Sequence, residues 1–73
     1  MNAATFEQAE LAKQKAFELL RDLPGLSGIG ITAVGQGYGV KVNLRNADAH
    51  AAIPEEIDGV RVVAEVIGVI TAD

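Results

Sequence analysis

SGIGITAVGQGYGVKVNL, residues 27–44, holds five of the chain's eight glycines, and its reading decides the fold. It is either a phosphate loop opened by Gly28-x-Gly30-x-x-Ala33 or two strands joined by a tight turn. A dinucleotide fingerprint needs a strand before its glycines and a helix after them, so that the pyrophosphate meets the helix N-terminus. Asp48 does fall about twenty residues beyond Gly28, where that fingerprint places an acid. Yet the residues that follow, TAVGQGYG, are no helix former. The phosphate-loop alternative fails as well, because Gly30 and Gly35 have its spacing but Gln36 stands at the lysine position. A hairpin accounts for the same glycines with no ligand.

Residues 26–34, LSGIGITAV, place Ile29, Ile31 and Ala33 on one face and Gly28, Gly30, Thr32 and Val34 on the other. Residues 38–44, YGVKVNL, alternate more cleanly, with Tyr38, Val40, Val42 and Leu44 inward and Lys41 and Asn43 outward. Between them Gly35-Gln36-Gly37 supplies the positive-φ positions of a short hairpin loop.

Upstream, TFEQAELAKQKAFELLRDL (residues 5–23) reads as an amphipathic helix. Thr5 and Gln8 have the spacing of a capping box, in which each side chain satisfies the other residue's free backbone N–H. Pro24-Gly25 ends the element. At 100° per residue, Ala9, Ala12, Ala16, Leu20 and Leu23 form one stripe flanked by Phe6, Phe17 and Leu19, and it needs a sheet to cover. Leu11 points the other way. The first four residues are expected to be disordered.

Downstream, Asn46 caps a short helix over Ala47–Ala52, which Pro54 brings to an end. Pro54-Glu55-Glu56-Ile57 suits one further helical turn, with proline first and acids at the N-terminus. Asp58-Gly59 then turns the chain into a last strand, VRVVAEVIGVIT (residues 60–71), with Gly68 marking a bulge or the end of regular pairing. The order is helix, strand, strand, short helix, strand. The expected fold is a single α+β domain spanning residues 1–73, a two-layer sandwich. Its three-stranded antiparallel sheet has the order 2-1-3, the last strand lying beside the first.

At 73 residues the chain has room for one small core and none for a cleft between domains. Cores of this size supply only a few kcal/mol unless something staples them, and the chain has no cysteine. Association with another chain is the natural reinforcement. Ten acidic against six scattered basic residues give a net charge of -4, which argues against nucleic acid and anionic membrane surfaces as partners. No apolar run is long enough for a bilayer span, and MNAATFEQAE lacks the basic and apolar regions of a secretory signal, so a cytoplasmic location is expected.

Chemistry-bearing clusters are few. Asp48, His50, Glu55, Glu56 and Asp58 gather in residues 48–58, but with no second histidine, no HExxH spacing and no calcium-loop alternation. They read as solvated groups at helix ends. Ser27 lacks the nucleophile-elbow pattern. We therefore expect no catalytic site, no metal, no cofactor and no enzymatic activity.

Gly28 and Gly30 still need a reason, since glycine weakens a strand interior. They fall on the face away from the long helix, beside Val63 and Ile67 in the expected pairing. The alternatives are close strand packing or a bulge on one side, and a contact surface for another subunit or domain on the other. VIGVIT, residues 66–71, is β-branched and free of charge and proline, a hazard on the sheet edge where the 2-1-3 order puts it. The expected activity is self-association or docking on a protein partner through Gly28, Gly30, Val63, Ile67 and Val69.

The segment IPEEIDGVRVVAEVIGVITA, together with Gly28 and Gly30, resembles a small module of uncharacterised bacterial proteins, some associated with trypsin-like peptidase domains. In that module a GxG hairpin precedes a stretch like (I/L)P..IDGV.V.VE..G.I.A. The resemblance covers Leu26 to Ala72 and rests on Gly28, Gly30, Pro54, Ile57, Asp58, Gly59 and Gly68. No peptidase triad maps onto this chain, and what the resemblance implies is an accessory or interaction domain. A second expectation, of another class, is a small ligand-binding or peptidase-regulating domain. It would use the hairpin loop Gly35, Gln36 and Gly37 or the acidic turn Glu55, Glu56 and Asp58.

Overall fold

The computed structural model describes residues 3–67. Its elements are α1 (Phe6–Leu20), β1 (Leu26–Val34), β2 (Gly37–Leu44), a 3-10 helix (Ala47–Ala52), β3 (Glu56–Ile57) and β4 (Val60–Val66). The architecture is α+β, with α1 on one face of a four-stranded mixed sheet of order β1-β2-β4-β3.

The local signals hold. Thr5 Oγ1 accepts from the Gln8 N–H at 3.1 Å, while Gln8 Oε1 accepts from the Thr5 N–H at 2.8 Å, the reciprocal cap expected of this pair. Leu23-Pro24-Gly25-Leu26 closes as a turn in which the Leu26 N–H donates to the Leu23 carbonyl. Gly25 there has φ +91°, as the third residue of a type II turn requires. Asn46 Oδ1 caps the 3-10 helix by accepting from the Ala49 N–H.

The hairpin between β1 and β2 is tighter than expected. Val34 pairs with Gly37, so the loop is Gly35-Gln36 alone. Only Gly35 has positive φ, +57°, which is the residue pattern of a type II′ turn. Gly37 belongs to β2 and is buried against Ala4.

The sheet order differs from the expected 2-1-3. β4 lies beside β2 rather than β1, and parallel to it, with Val40 opposite Val62 and Val42 opposite Ala64. The physical reason is in the connection: a parallel neighbour requires a crossover of a dozen or more residues, and residues 45–59 provide it. β2 is thereby the central strand, and Val40, Val42 and Leu44 are fully buried. A further correction concerns residues 54–57. Glu56 and Ile57 form no helical turn but a two-residue strand paired with Arg61 and Val60. Asp58 (φ +52°) and Gly59 (φ +81°) close this second hairpin as a type I′ turn, the Asp-Gly signature.

Ala9, Ala12, Ala16 and Leu20 are the buried stripe of α1, facing Val40, Val42, Val60 and Val62. Small side chains on the helix bring its backbone close to the sheet. Phe6, Phe17 and Leu19, expected to flank the stripe, are exposed instead, as is Tyr38. Phe6 and Tyr38 cover each other edge to face at a centroid distance of 5.3 Å. Ala4, inside the stretch expected to be disordered, accepts a hydrogen bond from the Tyr38 N–H at 3.0 Å. It occupies the side of β2 that β4 takes over from Val40 onward.

Candidate interaction surface

Strand alternation turns Ile29, Ile31, Val40, Val42, Val62 and Ala64 toward α1. The residues between them form the opposite face, which α1 leaves uncovered and where Gly28, Gly30, Lys41, Asn43 and Val63 are half-buried. Its cross-strand rows follow from the register: Gly30, Lys41 and Val63 in one, Gly28, Asn43 and Glu65 in the next. Gly28 and Gly30 are therefore not beside Val63 and Ile67 as expected; β2 lies between them. A Cβ at Gly28 or Gly30 would meet nothing within 4 Å, so close packing inside the chain does not explain either glycine.

The rest of that face is mixed. Lys41 Nζ and Glu65 Oε1 form an ion pair of 2.7 Å across β2 and β4. Asn43 Oδ1 is buried beneath its neighbours without a hydrogen-bond donor. Val63 is half-buried on this face and Ile67 is exposed past the end of β4, while Val66, also exposed, alternates to the side of α1. Val69 lies outside the described residues, as do Gly68 and most of the VIGVIT stretch.

The last strand is only partly an edge. β3 pairs with Val60 and Arg61, and the Val62 N–H donates to the Glu55 carbonyl, so the outer side of β4 is open only beyond Val62. The longer open edge is β1. The Tyr38 N–H turns away from β1 to reach Ala4, which fixes the phase of the ladder. Gly28, Gly30, Thr32 and Val34 exchange hydrogen bonds with β2, while the backbone groups of Ile29, Ile31 and Ala33 point outward, unpaired among the described residues. Beside this edge runs a groove of about 570 Å³ between β1 and α1, lined by Glu10, Lys13, Gln14, Phe17, Glu18 and Ile29.

The ligand-type residues are partly brought together. Gly35 and Gln36 share a cavity of about 410 Å³ with Glu56, Gly59 and Arg61, since both hairpin turns lie at one end of the sheet. Gly37 sits beneath Ala4 and is closed off from that cavity. The acidic turn is split. Glu55 lies in a neighbouring cavity of about 380 Å³ with His50, Glu56 and Arg61. Asp58 turns toward α1, where its Oδ2 pairs with Lys15 Nζ at 2.9 Å. Among the described residues no three His, Asp or Glu side chains converge as metal ligands.

Two features escaped the sequence. Arg61 lines both of these cavities, but its meeting with Glu56 depends on β3, which residues 54–57 do not announce as a strand. The open edge of β1 follows only from the true strand order. No helix among the described residues is long and apolar enough to cross a membrane. Compared with known protein families, curated proteins and solved structures, the chain matches none.

Proposed function

We propose that the chain is a non-enzymatic, cytoplasmic interaction domain that associates through its last strand or the sheet face that α1 leaves bare. Its partner is a second copy or another protein, and nucleic acid and membrane are not involved. The observation that supports this reading is the unfinished sheet: one face is bare, and Gly28 and Gly30 hold open space above it. The resemblance to a small module of uncharacterised bacterial proteins, some associated with trypsin-like peptidase domains, implies the same class of role. A concentration series of amide NMR spectra tests the self-associating form. Shifts confined to the strands, at Gly28, Gly30, Val63 and Ile67 among others, are expected; shifts confined to the turns at Gly35–Gln36 and Glu55–Asp58 would reject it.

A ligand-binding or peptidase-regulating role is the second reading. It is favoured by one observation, the cavity in which Gly35 and Gln36 meet Glu56 and Arg61. Screening small zwitterions and carboxylates against the labelled chain tests it, and binding should vanish in Arg61→Gln. Binding that survives Arg61→Gln would place the ligand elsewhere.

A further inference from the structure

We infer that two copies of this chain pair antiparallel through their β1 edges, with Ile31 on the two-fold axis, an inference that rests on the reading of the chain as an interaction domain. Open edge strands are ordinarily protected by charge, proline or a cover. Residues 26–34 contain no charged residue and no proline, and the sole irregularity is the bulge between Leu26 and Gly28. The edge is thus regular from Gly28 to Val34 and ready to accept a strand.

The occupant is argued from register. Only Ile29, Ile31 and Ala33 offer outward backbone groups, so an antiparallel mate must set its own outward groups against them. A second copy does this over the whole run from Gly28 to Val34 in one alignment: Ile31 opposite the second copy's Ile31, and Ile29 opposite its Ala33. The same alignment puts Gly30 opposite the second copy's Thr32 and Gly28 opposite its Val34, in the closely spaced positions of the ladder. Each glycine, with nothing within 4 Å of where its Cβ would be, then faces a branched side chain that needs the room. On the helix side Ile29, Ile31 and Ala33 meet their counterparts as an apolar seam.

The expected interface is a small one. The alignment forms about six backbone hydrogen bonds. At roughly one bond per 100–200 Å² that count corresponds to about 600–1,200 Å² of interface. A specific dimer needs about 1,000 Å². The groove along α1 adds area, because Phe17, 55% exposed in one chain, would be covered by the second copy's helix. The groove wall carries both signs, Glu10 and Glu18 with Lys13 between them along the helix, so no single-sign field keeps the copies apart.

The test combines mass and cross-linking on the full chain. Sedimentation equilibrium should give about twice the 7.6 kDa of one chain. Ile31→Pro removes an outward N–H at a position where an edge strand tolerates proline, and should return the mass to that of a monomer with its far-ultraviolet spectrum kept. Because the chain has no cysteine, Gly30→Cys and Thr32→Cys can each be introduced alone. Mixed and oxidised, the two should form a disulfide heterodimer, while neither cross-links to itself. This readout holds even if Ile31→Pro fails to fold.

Efficient self-cross-linking of either variant overturns the register. A dimer that Val63→Glu abolishes and β1 variants spare overturns the inference but leaves association through the last strand standing. A chain that remains monomeric at millimolar concentration overturns the inference together with the self-associating form of the proposed function.

Discussion

Lys41 and Glu65 stand on neighbouring parallel strands, and their charged ends meet at 2.7 Å on the side of the sheet away from α1. The side chains are 37% and 53% exposed, so water competes for both. Exposed pairs of this kind contribute about 0–1 kcal/mol. Glu65→Gln should therefore lower the urea unfolding free energy by less than about 1 kcal/mol, and the difference should fade at about 1 M salt. A larger loss would mean that the pair orders the end of β4.

Two glycines of the hairpin should respond oppositely to the same change. A Cβ at Gly39 would meet the Arg61 carbonyl oxygen and Val34 Cγ2 at 2.7 Å each. Gly39→Ala should cost about 1–3 kcal/mol, the usual penalty of overpacking. At dilutions where the chain is monomeric, Gly30→Ala meets nothing within 4 Å and should be neutral or stabilise by up to about 1 kcal/mol through the unfolded chain. Chemical denaturation of the two variants checks the contrast.

The alanine stripe sets the distance between α1 and the sheet. Ala16 is fully buried, so Ala16→Leu has no room to expand into and should destabilise by about 1–3 kcal/mol. Leu44→Ala, which empties a fully buried site, should cost about 2–5 kcal/mol. For a core that supplies only a few kcal/mol the second change should leave much of the population unfolded at room temperature, visible as lost near-ultraviolet signal and lost amide dispersion.

The capping box isolates a local contribution. Thr5→Ala removes the acceptor of the Gln8 N–H and should lower stability by about 0.5–2 kcal/mol. Thr5→Asn retains a side-chain acceptor and should recover most of it.

Elements whose signal is local were legible from the residues. The start of α1 follows from Thr5 and Gln8, its buried stripe from the spacing of Ala9, Ala12, Ala16 and Leu20, the first hairpin from its glycine-rich loop, and the turn into β4 from Asp58-Gly59. Strand order is not local, and alternation alone does not say which neighbour β4 takes. Two signals bore on it: the length of the connection over residues 45–59, and Gly39, whose missing side chain marks where another backbone passes close by. Glu56-Ile57 is too short to show a period and becomes a strand only because β4 is there to pair with it. The candidate surface was half legible. Gly28 and Gly30 identified the bare face, but the free edge beside them could not be located before β1 was known to lie outermost.

The parallel seam between β2 and β4 also governs when this protein can fold. The first hairpin joins residues close in sequence and α1 precedes it, yet the edge of β2 from Val40 onward stays unpaired until β4 arrives. Closing the loop over residues 45–59 must precede these contacts, which slows folding relative to the hairpin alone. A chain shortened ahead of Val60 is therefore left with an adhesive, half-built sheet.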